Sequence, residues 1–212
     1  MNTDSFWIHA FLGFYLLVML VLCMYGVHRY CLVHLYYKYR RNRPELRACF
    51  RELPRVTIQL PMFNEQFVAR RVIEATCQID YPRDRLEIQV LDDSTDRTVE
   101  IASRAVEEMR AAGHNIVYLH RDNREGYKAG ALAEGLRQAR GEFVMIFDAD
   151  FLPPRDIVHE TIHYFTDPAV GMVQARWDHI NREQSLLTKT QAILLDGHFV
   201  IEHTARNRSG RF

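Results

Sequence analysis

The hydrophobic pattern divides the chain into a long apolar start and a longer part of mixed periodicity. No Asp, Glu, Lys or Arg occurs over 5–28, and residues 11–25 are almost wholly apolar. A helix over this stretch is long enough to cross a hydrocarbon core of about 30 Å. We therefore predict a transmembrane anchor over 1–33.

Charges on the two sides of this stretch are unequal. Only Asp4 is charged before it, and the connector at 34–54 is basic. This asymmetry predicts that the N-terminus lies outside and the rest of the chain in the cytoplasm. A signal peptide is disfavoured, because no basic residue precedes the apolar stretch and no small-residue cleavage site follows it.

From residue 55 onward, strand-like segments alternate with amphipathic helical segments. The pattern predicts strands at 55–60, 86–91, 115–120, 143–147 and 170–177, and helices at 66–79, 97–112, 126–140, 156–165 and 184–203. This order is typical of an α/β fold with a mostly parallel sheet and helices on both faces. In such sheets, ligands bind outside the carboxyl ends of the strands, where the strand order reverses.

Overall composition excludes some functions. The chain has 27 basic and 27 acidic side chains and a net charge of zero, which gives no support for nucleic-acid binding. Its four cysteines show no Cys-x-x-Cys spacing, so neither a zinc site nor a disulfide framework is indicated, and a reducing compartment is expected.

Two aspartates, Asp148 and Asp150, follow the apolar run at 143–147, which reads as a strand buried on both faces. At positions i and i+2 of an extended backbone, their side chains would point the same way. Mg²⁺ or Mn²⁺ takes one or two carboxylates and completes its shell with water and phosphate oxygens. The pattern therefore predicts a site for a metal-bound diphosphate.

A second acidic pair, Asp92 and Asp93, follows the strand predicted at 86–91. Carboxylates there could accept hydrogen bonds from an imide N–H or a ribose hydroxyl. They could instead stabilise the next helix N-terminus, although Ser94 and Asp96 could do that unaided. Two adjacent aspartates exceed what a helix cap needs, which favours a ligand-binding role.

Two further turns carry candidate polar groups. Asn64 and Glu65 follow the first predicted strand and could line the same crevice, or they could be purely structural. Lys128 lies between Gly126 and Gly130 at a predicted helix start, where it could contact a phosphate or simply be solvated. The chain has no phosphate-loop and no dinucleotide-binding glycine motif.

Taken in order, four motifs resemble family 2 glycosyltransferases with a GT-A fold. They are Pro61-Met62-Phe63-Asn64-Glu65, Leu91-Asp92-Asp93-Ser94, Gly126-Tyr127-Lys128-Ala129-Gly130-Ala131-Leu132 and Phe147-Asp148-Ala149-Asp150. Later motifs are similar to the cellulose-synthase-like branch, which includes glucomannan synthases. They are Val173-Gln174-Ala175-Arg176-Trp177, Asn181-Arg182-Glu183, Leu187-Thr188-Lys189 and Leu195-Asp196-Gly197-His198-Phe199.

This resemblance implies a membrane-bound inverting hexosyltransferase that makes polysaccharide. The expected donor is UDP-glucose or GDP-mannose, and the expected acceptor is a growing β-glycan. Asp148 and Asp150 would bind Mg²⁺ or Mn²⁺, and Gln174 and Trp177 would face the acceptor, although Trp177 could equally close the core. The residues expected to bind the nucleotide sugar are Pro61, Asn64, Glu65, Asp92, Asp93, Lys128 and Asp148.

Other family motifs do not occur before Phe212. The family's general base lies in a Thr/Ser-Glu-Asp triplet, and its acceptor motif is Gln-x-x-Arg-Trp; the run from Gln174 to Trp177 is one residue too short for the latter. We therefore expect an N-terminal fragment, inactive alone, whose GT-A domain at 55–212 is incomplete and whose catalytic base lies beyond Phe212.

Three alternatives were considered beside this interpretation. A polyprenyl-phosphate sugar transferase fits the basic connector but not the motifs after residue 173. A non-catalytic membrane scaffold would follow if the chain truly ended at residue 212. A phospho-acceptor receiver domain is excluded, because its acidic pair follows the first strand and its lysine comes last.

Overall fold

Four parallel strands form the centre of residues 46–173 in the computed structural model, which describes residues 3–210. The strand order is β3-β2-β1-β4. The order therefore reverses beside β1, which pairs with both β2 and β4, as the alternation predicts. The strands are β1 (Val56–Met62), β2 (Leu86–Asp92), β3 (Ile116–His120) and β4 (Phe143–Ile146).

Helices cover both faces of this sheet. On one face, α2 and α3 pack against each other, and Ile58 and Leu60 of β1 join their apolar side chains in one buried core. On the other face, α4 contacts β1 and β2. The helices are α2 (Ala69–Cys77), α3 (Thr98–Ala111), α4 (Tyr127–Gln138) and α5 (Ile157–Ile162), the last continued by a 3₁₀ turn over His163–Thr166.

The face of the sheet below α4 carries a buried polar ladder. Thr57 donates to Glu87 at 2.8 Å, and Gln59 donates to Gln89 at 3.0 Å, between directly paired positions of β1 and β2. The Gln59 amide also donates to the Leu132 carbonyl of α4 at 3.4 Å. These bonds satisfy polar groups that would be costly to bury alone, although Gln89 Nε2 is buried without a hydrogen-bond partner.

The prediction of a fully buried strand at 143–147 is wrong in two respects. The strand ends at Ile146, and Val144 and Ile146 are 38% and 47% exposed. The reason is the position of β4 as the last strand in the order. It has a neighbouring strand, β1, on one edge, whereas β1 and β2 each lie between two strands.

The strand predicted at 170–177 is also absent from the described residues, where this segment has no regular secondary structure. Its apolar and β-branched composition alone does not provide a pairing partner. Other boundaries moved by up to three residues, mostly because helix ends depend on turn geometry.

The second compact unit combines the residues before 46 with those after 173. Its first helix, α1 (Thr3–Tyr39), includes one segment, Phe6–Tyr39, that is long and apolar enough to cross a membrane. The helix thus ends six residues beyond the anchor predicted at 1–33. The domain limits proposed from the sequence otherwise remain a prediction.

The helix predicted at 184–203 consists of three consecutive parts. They are α6 (Leu186–Asp196), a π-helix (Gly197–His203) and α7 (Thr204–Arg208). Ser185 is the N-terminal cap of α6. Its hydroxyl accepts from the Thr188 amide at 3.1 Å, and the Thr188 hydroxyl accepts from the Ser185 amide at 2.9 Å. Both α7 and the π-helix pack against α1 within this unit.

Gly141→Ala should destabilise the sheet. A Cβ there would lie 2.3 Å from the Thr57 amide nitrogen and 2.7 Å from its hydroxyl, which accepts from the Gly141 amide. We expect a loss of about 1–3 kcal/mol, which lowers Tm by roughly 2–12 °C in a chain of this size, measured by thermal unfolding in detergent. Gly171→Ala is the matched control, because a Cβ there meets no atom within 4 Å. An unchanged Tm for Gly141→Ala would contradict the close approach.

Candidate functional site

The turns after β1 and β2 are bonded to each other at the carboxyl edge of the sheet. The Asn64 amide donates to the Ser94 hydroxyl at 2.8 Å, and the Thr95 amide donates to the Asn64 side-chain oxygen at 3.0 Å. The Asp93 amide donates to the Met62 carbonyl at 3.1 Å. Asn64 has a φ of 57°, a left-handed conformation that asparagine tolerates better than most residues.

Pro61 and Glu65 have different places in this first turn. Pro61 lies within β1, where it pairs with Leu91 and is buried, so it is not part of the turn itself. The Glu65 carbonyl accepts from the Val68 and Ala69 amides at 3.0 and 2.9 Å. Its side chain is half-buried.

Asp92 is fully buried and serves as a hydrogen-bond acceptor. Its Oδ2 accepts from the Tyr118 hydroxyl at 2.6 Å, and its Oδ1 accepts from the Ser94 amide at 2.9 Å. His120 Nδ1 lies 3.7 Å from Oδ2. Desolvation, and then the hydrogen bond to Asp92, raise the pKa of Tyr118 above its ordinary value. The hydroxyl therefore remains a donor to Asp92 at neutral pH.

Asp93 forms a bidentate ion pair with Arg121, which sequence reasoning missed. Nε and Nη2 of Arg121 lie 2.7 and 2.5 Å from the two carboxylate oxygens. The Asp93 side chain is 4% exposed and that of Arg121 is 16% exposed. The hydrogen bond to Asp93 is the main cause that raises the pKa of Arg121.

The other donors of Arg121 reach the start of α4. Nη1 donates to the Glu125 carbonyl at 3.3 Å, and Nη2 donates to the Tyr127 carbonyl at 3.2 Å. Tyr127 has a φ of 50°, which is strained for a residue with a bulky side chain. At Gly130 a Cβ would lie 2.0 Å from the Glu125 carbonyl oxygen, so local packing alone requires this glycine.

Lys128, in the first turn of α4, forms an ion pair with Asp148. The pair joins the edge built by β2 and β3 to the turn that follows β4. Its partners are 53% and 33% exposed, so the contact remains open to solvent and to competing ligands.

Asp148 and Asp150 are not on an extended backbone as predicted. The chain turns after β4, and the Phe151 amide donates to the Asp148 carbonyl at 3.0 Å. Asp150 is exposed. Residues 3–210 contain no cluster of three or more His, Cys, Asp or Glu side chains suited to a metal. This turn thus contains two carboxylates, and that of Asp148 is paired with Lys128.

The sheet topology brings these groups together. Asp92 ends β2, and Asp148 lies two residues beyond β4, with only β1 between the two strands. Adjacent strands are about 4.8 Å apart, so β2 and β4 lie roughly 10 Å apart across the sheet. Asp92 is level with Met62 of β1, whereas Ile146, the last residue of β4, is level with Gln59.

The two residues predicted to face an acceptor, Gln174 and Trp177, belong to the other compact unit. Both are exposed, and the Trp177 ring stacks on Phe199 with 5.1 Å between the ring centroids. The prediction that they contact an acceptor remains a prediction.

Arg124 is a second basic residue that sequence reasoning missed. Its guanidinium lies 3.2 Å from the ring centroid of Phe63 and 5.2 Å from that of Tyr127. The signal available in the sequence was the Arg121-x-x-Arg124 spacing just before the glycine motif. On its own, that spacing is not specific, because it also occurs in ordinary solvated loops.

A cavity of about 810 Å³ lies at the opposite edge of the sheet, beside the amino ends of β2 and β3. Cys77 is among its lining residues, and burial raises the pKa of this thiol to about 12, which keeps it protonated and unreactive. The acidic turns are absent from its lining, so size alone does not make this cavity the candidate site.

Comparisons with known proteins identify relatives of this chain. The sequence profile of glycosyl transferase family 2 matches residues 57–211. Glucomannan 4-beta-mannosyltransferase 9 of Arabidopsis thaliana is 42% identical over 78% of this chain and 32% of its own length. Glucomannan 4-beta-mannosyltransferase 1 of Cyamopsis tetragonoloba is 44% identical over 72% of this chain and 30% of its own. The chain thus spans about a third of these relatives.

A solved structure shows the same fold. The mannosyltransferase PcManGT from Pyrobaculum calidifontis, in complex with GDP-Man and Mn²⁺, is 32% identical with a TM-score of 0.61. The likeness covers 73% of this chain and 46% of that one. Together with the match over most of the chain, this shows that the protein belongs to glycosyl transferase family 2.

Proposed function

We propose that this chain carries the donor-binding part of a membrane-bound inverting glycosyltransferase that adds hexose from a nucleotide sugar to a growing β-glycan. The observation that supports it best is the single network running from Asp93 through Arg121 to the start of α4, and from Lys128 to Asp148. Such a network would provide acceptors for a nucleoside and groups for a diphosphate.

The nucleoside end lies beside β2. A carboxylate has about four acceptor sites, and Asp92 and Asp93 each use two of theirs in the hydrogen bonds described above. Each therefore retains capacity for a ribose hydroxyl or a base N–H. Because both are nearly inaccessible, a ligand reaches Asp92 only when the Asn64–Ser94 turn or the Tyr118 side chain shifts.

The diphosphate end lies between α4 and the turn after β4. Lys128 supplies a cation for phosphate oxygens, while Asp148 and Asp150 supply carboxylates for Mg²⁺ or Mn²⁺. Their exposure fits this role, because both ions keep water and phosphate ligands. When bound, the metal would offset negative charge on the leaving nucleoside diphosphate. Within residues 3–210 we assign no general base.

GDP-mannose is the donor that we favour over UDP-glucose. The curated relatives are named as mannosyltransferases, and the solved relative binds GDP-Man. The expected acceptor is a β-linked glycan end, and α1 anchors the chain in a membrane, with the sheet domain on the cytoplasmic side.

The first prediction concerns the metal. GDP should raise the Tm of the purified full chain only when Mg²⁺ or Mn²⁺ is present, because the diphosphate needs a cation between itself and Asp150. A hundredfold excess over Kd stabilises by about 2.7 kcal/mol, which is several degrees. Asp150→Ala should abolish the shift. Asp84→Ala, at an exposed position before β2, should retain it. A shift that survives in Asp150→Ala would refute the metal assignment.

The second prediction concerns the donor. Titration calorimetry of the full chain with Mn²⁺ should show GDP-mannose binding at least tenfold more tightly than UDP-glucose. This follows because the two bases differ in size and in hydrogen-bonding edge. Equal affinities, or tighter UDP-glucose binding, would contradict the proposed donor while leaving the metal site intact.

The third prediction concerns Arg121 as a positioning residue. Arg121→Gln should destabilise the chain by about 3 kcal/mol, because it leaves Asp93 buried and unpaired. Adding Asp93→Asn should restore much of that loss, which a urea-unfolding cycle measures. Additive losses in the double variant would show that the two side chains act independently.

A ligand readout separates positioning from general stability. At a temperature where Arg121→Gln is folded, GDP affinity should fall about tenfold in this single variant, because the Tyr127 carbonyl loses its donor. The double variant does not serve this readout, because Asp93 is itself proposed to bind the nucleoside. Arg104→Gln, which removes an exposed arginine from α3, is the control and should bind GDP normally.

A further inference from the structure

Two basic segments far apart in the sequence meet at the end of α1. The Arg208 guanidinium donates to the Arg40 carbonyl, and the Asn42 side chain donates to the Arg208 carbonyl at 3.2 Å. These bonds join positions 166 and 168 residues apart. The cluster, called the basic collar below, consists of Lys38, Arg40, Arg41, Arg43, Arg206 and Arg208.

Acidic side chains offset only part of this charge locally. No Asp or Glu occurs over 29–44 or over 203–210. Glu202, just before α7, is already paired with Arg29 and lies 3.2 Å from His198 Nδ1. Glu45 lies two residues after Arg43 and is exposed, so the six cations form a patch that is positive on balance. All six except Arg208 are exposed.

Aromatic rings accompany the cations. The Lys38 ammonium lies 5.2 Å from the ring centroid of Tyr39, and the Arg40 guanidinium lies 5.2 Å from that of Tyr37. Tyr30 and Tyr37 are 79% and 64% exposed. Tyrosines at such positions favour the boundary between headgroups and water.

The spacing along α1 places the collar near that boundary. Residues 6–28 form a charge-free helix of roughly 34 Å, which is enough to cross the hydrocarbon core. The helix then continues about 13 Å to Lys38, and the headgroup layer takes up roughly half of that distance. The collar therefore lies within about one Debye length of the lipid phosphates at physiological salt.

We propose that the basic collar binds anionic phospholipid headgroups in the leaflet at the C-terminal end of α1. The proposal rests on the membrane anchor in the proposed function and adds a lipid preference to it. Because the collar combines α7 with the last turn of α1 and the segment after it, headgroup binding also stabilises the packing of α7 on α1.

The test uses the full chain reconstituted in phosphatidylcholine bilayers with trace spin-labelled lipids. Electron paramagnetic resonance measures the motionally restricted lipid beside the protein. Spin-labelled phosphatidylserine should associate about fivefold more strongly than spin-labelled phosphatidylcholine at low salt. In 0.5 M NaCl the ratio should approach one, because screening shortens the reach of the collar.

Matched variants assign the effect to the collar. Arg40→Gln/Arg41→Gln/Arg43→Gln should lower the ratio below about twofold, because half of the cations are removed. The control removes three exposed arginines from helices of the sheet domain and should keep the full ratio. It is Arg71→Gln/Arg104→Gln/Arg137→Gln.

The outcomes separate this proposal from the anchor on which it rests. Restricted lipid without a preference for phosphatidylserine would refute lipid binding by the basic collar. A preference that survives in the collar variant would refute it too. Absence of any restricted lipid would refute the proposal that α1 is a membrane anchor, and with it lipid binding by the basic collar. Neither result would bear on nucleotide binding by the sheet domain.

Discussion

The ion pair between Asp93 and Arg121 determines how the acidic edge is built, since it joins three elements that no other described contact joins together. Arg121 follows β3, Asp93 follows β2, and the Tyr127 carbonyl begins α4. A guanidinium is planar and has a rigid fork of donors, so its four bonds define directions as well as distances. The position of Lys128, one residue further on, depends on that geometry.

The polar ladder below α4 also helps to hold this helix against the sheet, at positions further along the helix than the ion pair. Gln59 and Gln89 bond to each other, and Gln59 also bonds to α4. At Gly135, a Cβ would lie 2.6 Å from the Gln59 amide, so the helix approaches the sheet closely only because that position lacks a side chain. Helix α4 is therefore held at its start by charge and along its length by polar packing.

The sequence predicted the central sheet well, because β1 and β2 are buried along their whole length and carry strong strand patterns. It failed at 143–147, since an edge strand and a central strand can have the same composition. Arg121 was missed for a related reason. It lies 28 residues from Asp93, and only the pairing of β2 with β3 brings the two together. Residues at strand ends can be recognised from the local sequence, but the residues they pair with on other strands cannot.

Burial of the acidic residues decreases from β2 towards β4, and this order has a chemical reason. Asp92 and Asp93 are 0% and 5% exposed, Asp148 has a side chain 33% exposed, and Asp150 is open to solvent. Buried carboxylates with fixed partners discriminate well between neutral donors such as a base and a ribose. A divalent cation that keeps several waters needs an open site instead. The proposed metal binding at the exposed pair and the proposed nucleoside recognition at the buried pair are therefore consistent with solvation as well as with position.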